Sequence, residues 1–81
     1  MKTKVLLFAH LREIVGSNEI SLEMDQGSKG DDLLDVLQHK YPDIKDHRHY
    51  LKLSMNGEYI TKETVLEDQA EIAVFPPVSG G

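Results

Sequence analysis

Along the chain the hydrophobic period switches from that of a strand to that of a helix and back. Residues 3–9, TKVLLFA, are rich in Val, Leu and Phe and predict a strand. Val5 and Leu7 point to one face and Leu6 and Phe8 to the other, so both faces are expected to be covered, as in a central strand. Residues 10–15 fit a short helical turn stopped by Gly16. Residues 18–24 alternate, with Ile20, Leu22 and Met24 against Glu19, Ser21 and Glu23, the pattern of a half-buried strand. A helix follows, with Ser28 placed as its N-cap and Asp31 three residues on. Asp31 and Asp32 suit the positive end of its dipole. Leu33, Leu34, Val36, Leu37 and Tyr41 fall on one stripe. Pro42 ends the helix, because the residue before a proline is pushed out of the α region.

Residues 43–49 form a polar connection, expected to be a surface loop. Leu51, Leu53 and Met55 alternate with Lys52 and Ser54 and predict a third strand. Asn56-Gly57 is a strong hairpin signal, and Tyr59 and Ile60 begin a short return strand. Residues 66–69, LEDQ, predict a turn before a last strand over 70–75, which Pro76 stops by removing a ladder donor. The order is ββαβββ with one main helix, which needs an apolar sheet face to cover. The first and last strands are the most apolar, so they belong side by side in the centre of a mixed sheet. That is an α+β fold, the β-grasp or ubiquitin-like arrangement, over residues 1–75. It leaves 76–81 as an extended C-terminal tail projecting from a central strand.

With 81 residues the chain can bury one modest core. A net charge of −5, from 9 Lys+Arg against 14 Asp+Glu, argues against nucleic acid and is compatible with a basic protein partner. No apolar run approaches the roughly 20 residues of a membrane helix. The opening MKTKVLLFAHLREIVG is broken by His10, Arg12 and Glu13 and lacks a cleavage site, so cytoplasmic residence without membrane association is expected. There is no cysteine, so any sulfur chemistry must use sulfur brought from elsewhere. His47, Arg48 and His49 cluster near Asp43 and Asp46, but no metal motif surrounds them; a solvated loop outweighs a metal site, and no metal is expected. Arg12 and Glu13 read as a surface pair worth a few tenths of a kcal/mol. DQGSKGDD lacks the spacing and the Lys-Ser/Thr ending of a P-loop, so no nucleotide site is expected in this chain.

The last stretch is FPPVSGG. Pro76 and Pro77 fix φ and favour an extended path, while Ser79, Gly80 and Gly81 add almost no width. Residues 76–81 can reach at most about 20 Å, enough to thread a narrow channel. A frayed, small-residue terminus is the plain reading. The sharper expectation is that the carboxylate of Gly81 is the working group inside another protein. A carboxylate is a poor electrophile; adenylation supplies a leaving group, and a sulfur donor then converts it to a thiocarboxylate. The nucleotide site must belong to a partner. Strand parity also places Phe8 and Phe75 together on the face away from the helix, with Tyr59 beside them, as anchors for docking. Completion of the core is the competing role for these rings.

The whole chain resembles the small subunits of molybdopterin synthase. The resemblance rests on KVLLFAHLRE followed by Gly16, on the Asn56-Gly57 region, and above all on LEDQAEIAVFPPVSGG. It departs at Gln69-Ala70, where a Gly-Asp turn is common in that family. The resemblance implies a non-catalytic, sulfur-donating subunit that binds no cofactor. Gly81 would be adenylated by an enzyme resembling ubiquitin-activating enzymes, which consumes the ATP. A sulfur donor protein would then leave a C-terminal 1-thioglycine. The tail, Pro76, Pro77, Val78, Ser79 and Gly80 leading to Gly81, would enter the large synthase subunit and deliver sulfur to cyclic pyranopterin monophosphate. A thiamine-pathway sulfur carrier would share the fold and Gly-Gly, but usually lacks the Phe-Pro-Pro-Val lead. A ubiquitin-like protein modifier and an interaction domain with an inert tail are the other readings.

Overall fold

A computed structural model describes residues 1–77. Its first strand, β1 (Lys2–Leu7), buries Thr3, Val5 and Leu7 and exposes Lys2 and Lys4. A short helix, α1 (Leu11–Val15), buries Leu11 and ends on Gly16 in the left-handed conformation. Next come β2 (Glu19–Glu23) and the main helix, α2 (Gly30–Lys40). The chain continues through β3 (Lys52–Met55), β4 (Glu58–Ile60) and β5 (Glu71–Phe75). The sheet order is β2-β1-β5-β3-β4. β1 and β5 run parallel, with Val5 beside Ile72 and Leu7 beside Val74, whereas the other pairs are antiparallel. The two most apolar strands therefore lie side by side inside the sheet, as their composition predicts.

The stripe of α2 supplies the other half of the core. Leu33, Leu34 and Leu37 are fully buried in one cluster with Val5, Leu7, Ile72 and Val74. Each such side chain contributes roughly 1.5–3 kcal/mol, as an upper estimate, on leaving water. Val36 and Tyr41, on the same predicted stripe, are half-buried. The hairpin turn is as expected: Asn56 and Gly57 both have positive φ, 52° and 86°, which suits the twist of the flanking strands.

Three expectations need correction. The N-cap of α2 is Lys29, one residue after Ser28, and the capping carboxylate is Asp32, which accepts the Lys29 N–H at 2.8 Å. The cause is tertiary: the Ser28 carbonyl accepts the Leu66 N–H, and Gly30 and Asp31 donate to the carbonyls of Thr64 and Lys62. Second, the polar connection after α2 is built of two 3₁₀ turns, Pro42–Asp46 and Arg48–Tyr50, and Ile44 within it is fully buried. Arg48 fastens it to α2 by donating to Asp31, Asp35 and Gln38. Burial would lower the pKa of that guanidinium, but its bonds to the two carboxylates outweigh this and hold it above its ordinary value. Third, β1 is interior by its hydrogen bonds but packed on one face; on the other, Leu6 is half-buried and Phe8 is exposed.

Two stability predictions arise here. The Thr3 hydroxyl is buried without a hydrogen-bond partner. Replacing it by a methyl in Thr3→Val is expected to raise stability by about 1 kcal/mol in urea unfolding, since the desolvation cost disappears. Gly30 has the opposite character. A β-carbon there would lie 2.7 Å from Leu53 Cδ1 and 3.0 Å from the Thr61 carbonyl oxygen. The leucine tip can yield but the backbone cannot, so Gly30→Ala is expected to cost about 1–3 kcal/mol in the same assay.

Candidate functional site

The sheet face opposite α2 has a charged end and an apolar end. At the charged end Lys4 Nζ lies 3.4 Å from Glu19 and 3.5 Å from Glu71, all well exposed. Glu19 first, and then Glu71, raise the lysine pKa. A shallow depression of about 500 Å³ here is lined mostly by Lys2, Lys4, Glu19, Ser21, Asp68 and Gln69. Its side chains are mostly polar, and they gather no set of groups suited to acid–base or nucleophilic chemistry.

The apolar end lies where β5 gives way to the two prolines. A groove of about 450 Å³ has Ala73 and Ser54 within it and Phe8, Tyr59, Phe75, Pro76 and Pro77 around it. Register explains the grouping. Ser54 pairs with Ala73 on β5 and with Tyr59 on β4, so these residues stand in a row across three strands. Phe75, two residues on from Ala73, shares its face. The Tyr59 and Phe75 rings are 5.8 Å apart at 55°. Phe8 is 40% exposed and Tyr59 78% exposed, so neither ring completes the core. Ala9, at φ 57°, turns the chain sharply after Phe8.

Arg12 belongs to this site and was not singled out for it by the sequence. Its Nε donates to the Leu7 carbonyl at 3.2 Å, and its guanidinium carbon lies 5.8 Å from the Phe8 ring centroid. It is thus aimed at the end of β1 and at Phe8, not at Glu13; a cation–π contact of this kind covers one side of the ring. Ala73 and Ser54 belong to the site too: Ala73 lies two residues from Phe75 on β5, and Ser54 is its partner on β3.

Gln69 holds φ at 62°, a left-handed conformation that glycine adopts more readily. The turn before β5 therefore keeps a glycine-type backbone where Gln replaces the common Gly. Among the described residues no three His, Cys, Asp or Glu side chains come together as metal ligands, and no helix is long and apolar enough to cross a membrane. The expectations placed on Val78, Ser79, Gly80 and Gly81 lie outside the described residues.

A mixed five-stranded sheet with one main helix on one face and paired first and last strands defines a ubiquitin-like β-grasp protein. Within that class the model of the ThiS family matches residues 5–81, and the chain belongs to that family. It is 38% identical over 81 residues to a molybdopterin synthase sulfur carrier subunit of Arabidopsis thaliana, covering 100% of this chain and 84% of the relative. It is 33% identical to small archaeal modifier protein 1 of Haloferax volcanii, covering 93% of this chain and 95% of the relative. The structure of a putative molybdopterin converting factor, subunit 1, from Pyrococcus furiosus matches with a TM-score of 0.86. It is 28% identical, with 96% of this chain and 99% of that one covered.

Proposed function

We propose that this chain is the sulfur carrier subunit of a molybdopterin synthase. The observation that carries the reading is its likeness to the Arabidopsis thaliana sulfur carrier subunit along its whole length. The geometry suits the role. An open apolar groove stands at the root of residues 76–81, on a sheet whose described residues gather no catalytic set. The chemistry is therefore assigned to Gly81, and the domain of residues 1–75 serves to dock and aim it.

In this reading an adenylating partner activates the Gly81 carboxylate with ATP, releasing pyrophosphate. A sulfur donor protein displaces AMP and leaves a thiocarboxylate. Phe8, Tyr59 and Phe75 then seat on the large synthase subunit, while Pro76, Pro77, Val78, Ser79 and Gly80 enter its channel. Sulfur passes to cyclic pyranopterin monophosphate, and the carboxylate returns for another cycle. The carrier itself binds no cofactor, and its work is done in the cytoplasm. The test is an intact mass of the protein after incubation with the activating enzyme, ATP and the sulfur donor. Replacement of one oxygen by sulfur in the C-terminal peptide is expected; an unchanged carboxylate alongside an active adenylating enzyme rejects the reading.

Conjugation to other proteins is a second reading, favoured by the likeness to small archaeal modifier protein 1. It requires Gly81 in isopeptide linkage to target lysines, which peptide mapping of cell extracts would reveal.

A further inference from the structure

At the same end of the sheet as the groove, three ring side chains meet. His10 Nε2 lies 2.8 Å from the Tyr50 hydroxyl, and His47 Nδ1 hydrogen-bonds the same oxygen. The two imidazole centroids are 4.7 Å apart. His49 stands edge-on to Tyr50 at 5.2 Å, closing another side. The segments are distant in sequence but not in the fold. His10 caps α1 just after β1, and Tyr50 precedes β3. Leu7 pairs with Val74, and Lys52 with Phe75, so both segments lie at the end of the sheet that carries Pro76.

The hydrogen count at this junction is informative. A phenol has one hydrogen and can satisfy one imidazole nitrogen as an acceptor. The second imidazole must donate its own N–H to the phenol oxygen. Each nitrogen is thus joined to the one phenol oxygen through a hydrogen, and each hydrogen is exchangeable for a metal bond once the three donors open around an ion. Imidazole nitrogens are preferred ligands for zinc and copper. We propose that His10 Nε2, His47 Nδ1 and Tyr50 Oη form a binding site for a divalent transition-metal ion of the copper–zinc class. On binding, the phenol proton leaves to solvent, and the donating imidazole moves its hydrogen to its other ring nitrogen. Three protein donors leave a further coordination position for water. The ion would tie the β1–α1 connection, next to Phe8, to the 3₁₀ turns about 40 residues away. The site is independent of sulfur transfer.

The experiment is titration of the full chain with copper(II) sulfate and zinc chloride, followed by calorimetry, thermal melting and visible absorption. One-to-one binding is expected, with a melting midpoint that rises with metal concentration. Copper should also bring a tyrosinate-to-copper charge-transfer band. Tyr50→Phe, which keeps the ring, should lose that band; His10→Gln, at an exposed position, should weaken binding at least tenfold. His39→Gln, on the exposed side of α2, should bind as the parent does. The absence of saturable one-to-one binding overturns the proposal. So does binding that is unchanged in both His10→Gln and Tyr50→Phe, which would assign the metal to other surface histidines.

Discussion

A chain carrying one extra alanine after Gly81 is expected to fold and dock normally yet lose sulfur transfer by at least about 100-fold. An added residue lengthens an extended tail by about 3.3–3.6 Å. It also replaces the glycine carboxylate with an amide, which neither adenylates nor carries a thiocarboxylate. Misplacement of a reacting group by as little as 1 Å can cost roughly 100-fold, so a loss of this size follows even if the new terminus is charged. Chain termini generally contribute little to folding, so the melting midpoint should not move. The measurement is product formation by the purified large subunit with the extended carrier, after incubation with the activating enzyme and sulfur donor. Transfer at the parental rate would remove Gly81 from the mechanism.

The second large effect is expected at the groove. Phe8→Ala and Phe75→Ala should each weaken binding to the large subunit by about 2 kcal/mol or more, roughly 30-fold in Kd. Aromatic side chains bury much area at little entropic cost, and such rings dominate many interfaces. The two sites differ in a useful way. Phe8 is 40% exposed, whereas Phe75 is half-buried within β5, opposite Lys52. Phe8→Ala should therefore leave the melting midpoint nearly unchanged, while Phe75→Ala lowers it modestly. Calorimetry on the purified pair, with melts of each variant alone, separates docking from folding. Undiminished affinity in both variants would move the docking surface elsewhere on the molecule.

Much of this architecture is legible because strand parity and helical period act locally. Val5, Leu7, Ile72 and Val74 could be assigned to one face from alternation alone, and Leu33, Leu34 and Leu37 to one stripe. The same alternation places Phe8 and Phe75 on the face away from α2, and strand pairing adds Tyr59 to them. What stayed hidden was set by distant partners. The start of α2 slid from Ser28 to Lys29 because the segment at 62–66 claims the neighbouring backbone groups. Ile44 sank into the core from a stretch whose composition is that of a surface loop. His47 lies two residues from His49 in sequence, which suggests a local pair; the fold brings its ring against His10 and Tyr50. No local period encodes a meeting between residues about 40 positions apart.

The parallel pairing of β1 with β5 has a consequence for synthesis. Phe8 emerges from the ribosome among the first residues and Phe75 long after it, and β5, which lies between β1 and β3 in the sheet order, is filled last. Until β5 inserts between β1 and β3, the apolar groove has no floor and one of its walls is missing. An interrupted chain would thus display a helix and a few strands but no surface for its partners to grip. The groove thus exists only once β5 has been made and inserted, so a partner that grips it grips a folded sheet and not a nascent one.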